Sequence, residues 1–223
     1  MPDQATQEPQ TRRKQSREER RRQLIEATIR ALATQGYAAI TLADVAREAR
    51  LSYGLVNFHF ASKENLLAET LDYLSNEYRN NWQSALAAAP PAPARQIAAL
   101  LQADFNPAIV TPERLSAWVS FWGESQNRPL YQAHCGANDA AYIATLETLC
   151  GQMNRDHGYG QDPVKVARAL RVLTEGLWLE LMTRIGDIEL TAALETVWTS
   201  AAACRSCRMT CARRWRMSWA ACA

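Results

Sequence analysis

Two short helical stretches lie between Thr41 and Phe60, and only three residues, Arg50 to Ser52, separate them. Thr41 has the side chain of an N-cap, and Asp44 sits in the first turn, where the helix dipole favours an acid. Leu42, Val45, Ala46 and Ala49 then share one face. Ser52 caps the next stretch, in which Leu55, Val56 and Phe60 are the apolar positions. A helix upstream offers Ile25, Ile29 and Leu32 at helical spacing, so the three stretches can close a small core. Ala46 lets two of them cross closely. That leaves Tyr53, Gly54, Asn57, Phe58 and His59 on the outer face of the third. An eight-residue helix is about 12 Å long, and the major groove of B-DNA is about 12 Å wide. The start of that helix and the Ser52 hydroxyl suit a phosphate. The pattern predicts a helix-turn-helix reading head.

The surrounding chain reads as helical throughout. Ser16 and Glu19 have capping-box spacing at the start of the first helix. Gln35-Gly36 ends it, with Gly36 placed for a left-handed C-cap. Ser62 caps a fourth helix carrying Leu66, Leu67, Thr70, Leu71, Leu74 and Tyr78 on one stripe. After the break AAAPPAPA, further helices are expected over about 93–105, 112–126, 128–154, 162–186 and 190–202. No segment alternates with period two. The fold class is all-α: an N-terminal three-helix domain carrying the helix-turn-helix, followed by a C-terminal helical domain. The expected divisions are a disordered basic arm over 1–15, the helix-turn-helix domain over 16–62, a helical domain over 63–200, and an anomalous tail over 201–223.

Charge follows the same division. Residues 1–63 carry 11 Lys/Arg against 7 Asp/Glu, residues 64–199 carry 9 against 16, and residues 200–223 carry five Arg and no acid. A basic head on an acidic body fits a polyanionic partner for the head. Arg12, Arg13, Lys14, Arg17, Arg20, Arg21 and Arg22 extend that charge, either toward a minor groove or as a solvated face paired with Glu18 and Glu19. No apolar run is long enough to span a bilayer, and the N-terminus has no secretory pattern. The expectation is a cytoplasmic protein without cofactor or metal. The three histidines, His59, His134 and His157, stand beside no nucleophile or metal-ligand spacing, and there is no phosphate-binding glycine loop, so no enzyme is expected. A helical protein-interaction module without a DNA role is the competing reading.

The run TLADVAREARLSYGLVNFHFASKENLLAETL resembles the TetR family of repressors. Thr41, Val45, Ala46, Ala49, Ser52, Gly54, His59, Phe60, Lys63 and Leu66 fall where that family's signature has equivalent residues. The resemblance implies that Thr41, Ser52 and Lys63 bond phosphates, that Tyr53, Gly54, Asn57 and Phe58 approach bases or sugar, and that His59 sits at the DNA backbone. Phe60 is expected in the core. Two positions depart from the family. Arg50 stands where the turn usually has glycine, so either a phosphate contact offsets its strain or the turn differs. Asn57 stands where the family has tyrosine, and asparagine can read adenine bidentately.

The body is rich in aromatic residues. Trp118, Phe121, Trp122 and Ser125 fall on one helical face, with Glu124 and Asn127 close by. The stretches FNPAIVTPERLSAWVSFWGESQNRPLYQ and EGLWLELM are similar to the choline-responsive, BetI-type subgroup. That similarity implies an effector pocket in the domain over 63–200, expected from Phe105, Trp118, Phe121, Trp122, Tyr142 and Trp178, for a small-molecule ligand, with a cation held by cation–π attraction as the expected kind. It also implies a homodimer built from the helix over 162–186, with Val166, Leu170, Leu173, Leu177 and Leu181 on its apolar face, and the helix after it. Gly176 would permit close helix approach.

From about Ala201 the composition changes to Cys, Arg, Trp and Ala. Cys204-x2-Cys207-x3-Cys211 lacks a nearby fourth ligand for zinc. A change of coding frame near residue 200 would leave such an end.

Overall fold

The computed structural model describes residues 8–123, 128–183 and 189–206. Among these it is helical, with α1 (Glu8–Ala39), α2 (Leu42–Ala49), α3 (Tyr53–Phe60), α4 (Lys63–Ala88), α5 (Pro93–Ala103), α6 (Pro112–Gly123), α7 (Arg128–His157), α8 (Pro163–Thr183) and α9 (Leu190–Ser206). α1 begins eight residues before Ser16. Pro9 sits in its first turn, where proline is tolerated, and the Arg, Lys, Gln and Glu residues that follow are good helix formers. Part of the stretch expected to be disordered is therefore helical. The break in α1 comes at Gly36 as expected, but with φ 75° and ψ 171°. That is not the left-handed cap; it is an extended ψ at positive φ, which is open essentially to glycine alone.

The chain divides into two compact units. The first holds α1, α2, α3, α4 to Glu77, and residues 111–136, which include α6. Its core is Leu24, Ile29, Leu32, Ile40, Val45, Val56, Phe60, Leu66, Leu67, Leu71 and Leu74, each 2% exposed or less. Burying each such side chain is worth about 1.5–3 kcal/mol. α6, read from the sequence as part of the C-terminal body, packs along α1. Arg114 of α6 fixes it there: its guanidinium bonds Glu77 at 2.7 Å and Glu26 at 2.9 Å, and Tyr73 donates to the same Glu26 at 2.8 Å.

The second unit holds α4 from Tyr78, α5, α7 from Ala137, α8 and α9. Pro93 opens α5 at a position where a missing N–H costs nothing. On α8 the buried positions are Ala167, Leu170, Arg171, Thr174, Leu177, Trp178 and Leu181. The expected Leu170, Leu177 and Leu181 are among them, whereas Val166 and Leu173 are half-buried. Among the described residues no helix is long and apolar enough to cross a membrane. Gly186, Ser125, Glu124, Asn127 and the tail cysteines Cys207, Cys211 and Cys222 lie outside the described residues.

Candidate nucleic-acid interface

α2 is set by a reciprocal cap. Asp44 N–H donates to the Thr41 hydroxyl at 3.2 Å, and Thr41 N–H donates to the Asp44 carboxylate at 3.0 Å. The Thr41 hydroxyl, and after it Arg47, holds the Asp44 carboxyl below the usual carboxylate range. Thr41 is exposed, but its own O–H is turned onto Asp44 at 2.6 Å.

The turn into α3 closes through Arg50, whose φ of 56° and ψ of 42° are left-handed. Arg50 N–H reaches Arg47 O at 3.1 Å and Leu51 N–H reaches Ala46 O at 2.9 Å, the paired bonds of a Schellman motif. Gln23 Nε2 donates to the neighbouring Ala49 carbonyl at 3.0 Å. The turn thus keeps the glycine-type geometry with arginine in place, at a cost of about 1 kcal/mol. Among the described residues the Arg50 side chain makes no hydrogen bond or ion pair, and it is exposed.

Ser52 caps α3, accepting from Leu55 N–H at 3.3 Å. Its own hydroxyl hydrogen remains available to a phosphate. Val56 and Phe60 are buried, as the apolar spacing requires. The opposite face stands in solvent: Tyr53 is 55% and Phe58 70% exposed, with Gly54 and Asn57 beside them. A Cβ built on Gly54 meets nothing within 4 Å, and its φ is not positive. Nothing inside the chain requires glycine there, although glycine inside a helix costs roughly 0.5–1 kcal/mol against alanine.

The end of α3 is held from α1. Arg21 donates to the His59 carbonyl at 2.9 Å and pairs with Glu69, and its guanidinium lies 4.8 Å from the Phe60 ring centroid. Arg17 lies over Phe58 at 5.9 Å. These basic residues of the arm are therefore partly structural. The His59 ring is only 9% exposed, and its Nδ1 has no partner. Burial, then Arg21, Arg17 and Arg20, push its pKa below the ordinary histidine value. Lys63 spends one N–H on the Ala38 carbonyl at 3.0 Å and lies over Tyr37, leaving two for another acceptor. Ala61 closes α3 at a positive φ of 60°, a feature no local sequence signal announces.

The six aromatic positions expected around an effector fall into both units. In the first, Trp118 and Phe121 are buried and Trp122 half-buried. Trp118 stands 6.1 Å from Trp122 and 6.5 Å from Tyr131, ring centre to ring centre. In the second unit, Phe105, Tyr142 and Trp178 are buried near a fully buried carboxylate, Asp104. Asp104 accepts hydroxyls from Tyr78 at 2.8 Å and Tyr142 at 2.5 Å, and its carbonyl accepts Trp178 Nε1 at 2.9 Å. Burial pushes the Asp104 carboxyl up to about 6 against these partners. Arg171 completes the cluster. Its guanidinium donates to the Tyr78 hydroxyl at 2.7 Å, pairs with Glu175 at 2.8 Å, and lies 5.1 Å from the Tyr142 ring centroid. Sequence reading passed over Asp104 and Arg171. The available signal was an arginine set among the apolar positions of α8, which needs a buried partner.

Comparison with known proteins agrees with this geometry. Residues 24–70 match the family of bacterial regulatory proteins, tetR family, and residues 91–205 match the BetI-type transcriptional repressor, C-terminal family. The HTH-type transcriptional regulator BetI of Burkholderia thailandensis is 30% identical over 80% of this chain and 90% of its own length. A crystal structure of a transcriptional regulator from Pseudomonas aeruginosa PAO1 superposes with TM-score 0.72 at 25% identity, over 85% of this chain and 91% of that one. A regulator from Saccharomonospora viridis, solved in complex with choline, shares the fold with TM-score 0.68 at 21% identity, over 82% of this chain and 95% of that one. With both halves matched in this order, the chain belongs to the BetI-type branch of the TetR family of transcriptional repressors.

Proposed function

We propose that this chain binds a palindromic operator as a homodimer in the cytoplasm, reads it with α3, and leaves it when a small effector binds. The exposed face of α3 carries the reading. Tyr53 and Phe58 are large rings left in solvent, Asn57 lies between them in sequence, and Gly54 is bare with no internal reason to be. A closely approaching surface accounts for all four. The groups around them suit phosphates: Ser52 at the start of α3, the unpaired Arg50, and the spare N–H groups of Lys63. Thr41 joins them through its exposed position, and His59 through its place in the last turn of α3. Asn57 is assigned as a base reader.

The homodimer rests on α8. Val164, Val172 and Leu179 are 51%, 58% and 47% exposed, and Gly176 falls on the same stripe with nothing within 4 Å of its Cβ position. A second copy of the helix would cover this stripe, and two α3 helices would then meet successive half-sites. For the effector, Trp118, Trp122 and Tyr131 form the aromatic group with a partly open ring, and choline is the first ligand to test there.

A mobility-shift titration against DNA upstream of the chain's own gene tests the reading. A saturable shift is expected, with log affinity falling at a slope near about −5 against log salt if about six phosphates are neutralised. A slope near zero would remove the DNA role in favour of a protein-interaction module.

A further inference from the structure

The second unit contains a cavity that none of the six aromatic positions lines. It holds about 310 Å³ and is walled by Ile97, Ala98, Met153, Val166, Leu170 and Trp198. That volume is at the lower end for small-molecule sites. At about 30 Å³ per water molecule it has the volume of roughly ten waters, which suits a small ligand.

Its polar groups point to one sign of ligand. Arg95 is the lining side chain with a fixed charge, and it is exposed at the edge, where its head can stay hydrated. Asn154 and Gln161 are neutral. No Asp or Glu lines the space among the described residues. The nearest carboxylate in sequence, Asp162, is turned onto the start of α8. There it accepts from Val164 N–H at 3.0 Å and lies 3.7 Å from Lys165 Nζ. Tyr159 and Trp198 supply ring faces, but a cation against them would meet the Arg95 guanidinium with no acid to offset it. The cage in this unit that would suit a cation, between Tyr78 and Tyr142 above Asp104, is already filled by Arg171.

We propose that this cavity binds a small amphipathic carboxylate, with its apolar chain among Ile97, Met153, Leu170 and Trp198 and its carboxylate on Arg95. Arginine matches a carboxylate with two parallel N–H donors. The proposal goes beyond the effector reading, at a different site, and rests on it only for the consequence at DNA.

The probe is octanoate, which has ten non-hydrogen atoms, titrated calorimetrically into the full chain beside octanol, octylamine and choline. Octanoate is expected to bind saturably and octylamine at least tenfold more weakly. Arg95→Gln, an exposed substitution that leaves the fold intact, should weaken octanoate at least tenfold and leave octanol unchanged. Ala98→Phe should abolish both. Absence of saturable octanoate binding, equal octanoate affinity in Arg95→Gln, or tighter octylamine binding overturns the proposal. Adding octanoate to the mobility-shift assay separates the two readings. If DNA never shifts, the repressor reading fails while the titration still decides the site. If DNA shifts and bound octanoate does not release it, the carboxylate site stands without the role of release signal.

Discussion

Arg21 donates from its guanidinium to the backbone carbonyl of His59 at 2.9 Å, tying α1 to the last turn of α3. Its second arm reaches Glu69, and its plane lies over Phe60. The pair with Glu69 is about one-third exposed, so most of its Coulomb energy is screened. The bond to a carbonyl and the stacking should survive that discount. Arg21→Ala is expected to cost about 1–2 kcal/mol of stability and to weaken operator and random DNA alike. The His59 pKa should rise, since one charge that depresses it is gone. Chemical denaturation and histidine titration by NMR check these outcomes; a specific loss on operator DNA alone would contradict the positioning role.

Gly54 and Asn57 separate fold from recognition. Gly54→Ala should stabilise the protein by about 0.5–1 kcal/mol, because a Cβ there meets nothing, while weakening operator binding through contact with DNA. Asn57→Ala should leave stability unchanged and alter base preference at one position per half-site, by about 1–3 kcal/mol of discrimination. Thermal melts and binding to a randomised operator library test both. An Asn57→Ala loss shared equally by all sequences would make it a phosphate contact.

Arg50→Gly should relieve the left-handed turn and raise stability by about 1 kcal/mol, read as a higher urea midpoint with an unchanged slope. If Arg50 also neutralises a phosphate, the same variant lowers DNA affinity and makes the salt slope shallower by about one per bound side chain.

Asp104 gives the second unit a pH dependence of defined sign. Its carboxyl titrates near about 6 in the fold against 3.8 ordinarily. Between these values the folded state holds the proton that the unfolded chain has lost. Stability is fullest below about pH 4 from this group and falls as pH rises through 6. Asp104→Asn should flatten that slope. Denaturation midpoints measured from pH 4 to 7 decide it, and an unchanged slope in the variant would falsify the assignment.

Val172→Glu should convert a dimer to monomers at micromolar concentration, because it places like charges face to face across two copies of α8. Light scattering reads the mass. A variant that stays dimeric puts the interface elsewhere.

The head was largely legible in the sequence because its signals are local. Thr41 with Asp44, Ser52, and the spacing of Val45, Ala46, Ala49, Val56 and Phe60 specify caps and a core within twenty residues. Arg50 was legible as a departure, and of the two alternatives it left open the structure keeps the left-handed turn. The start of α1 was missed because Ser16 offered a cap and nothing in the basic stretch stopped a helix from forming earlier. The packing of α6 along α1, the bonds of Tyr78 and Tyr142 to Asp104, and the bond of Arg171 to Tyr78 join residues up to 93 positions apart. Periodicity carries no information at that range. The aromatic positions expected around an effector are buried or half-buried, but ring count alone does not separate a ligand cage from one closed by its own arginine.

Arg171 thus occupies the place that a visiting cation would take. The chain supplies its own guest, so the pair of Tyr78 and Tyr142 and the Asp104 carboxylate beneath it are satisfied without a ligand from outside.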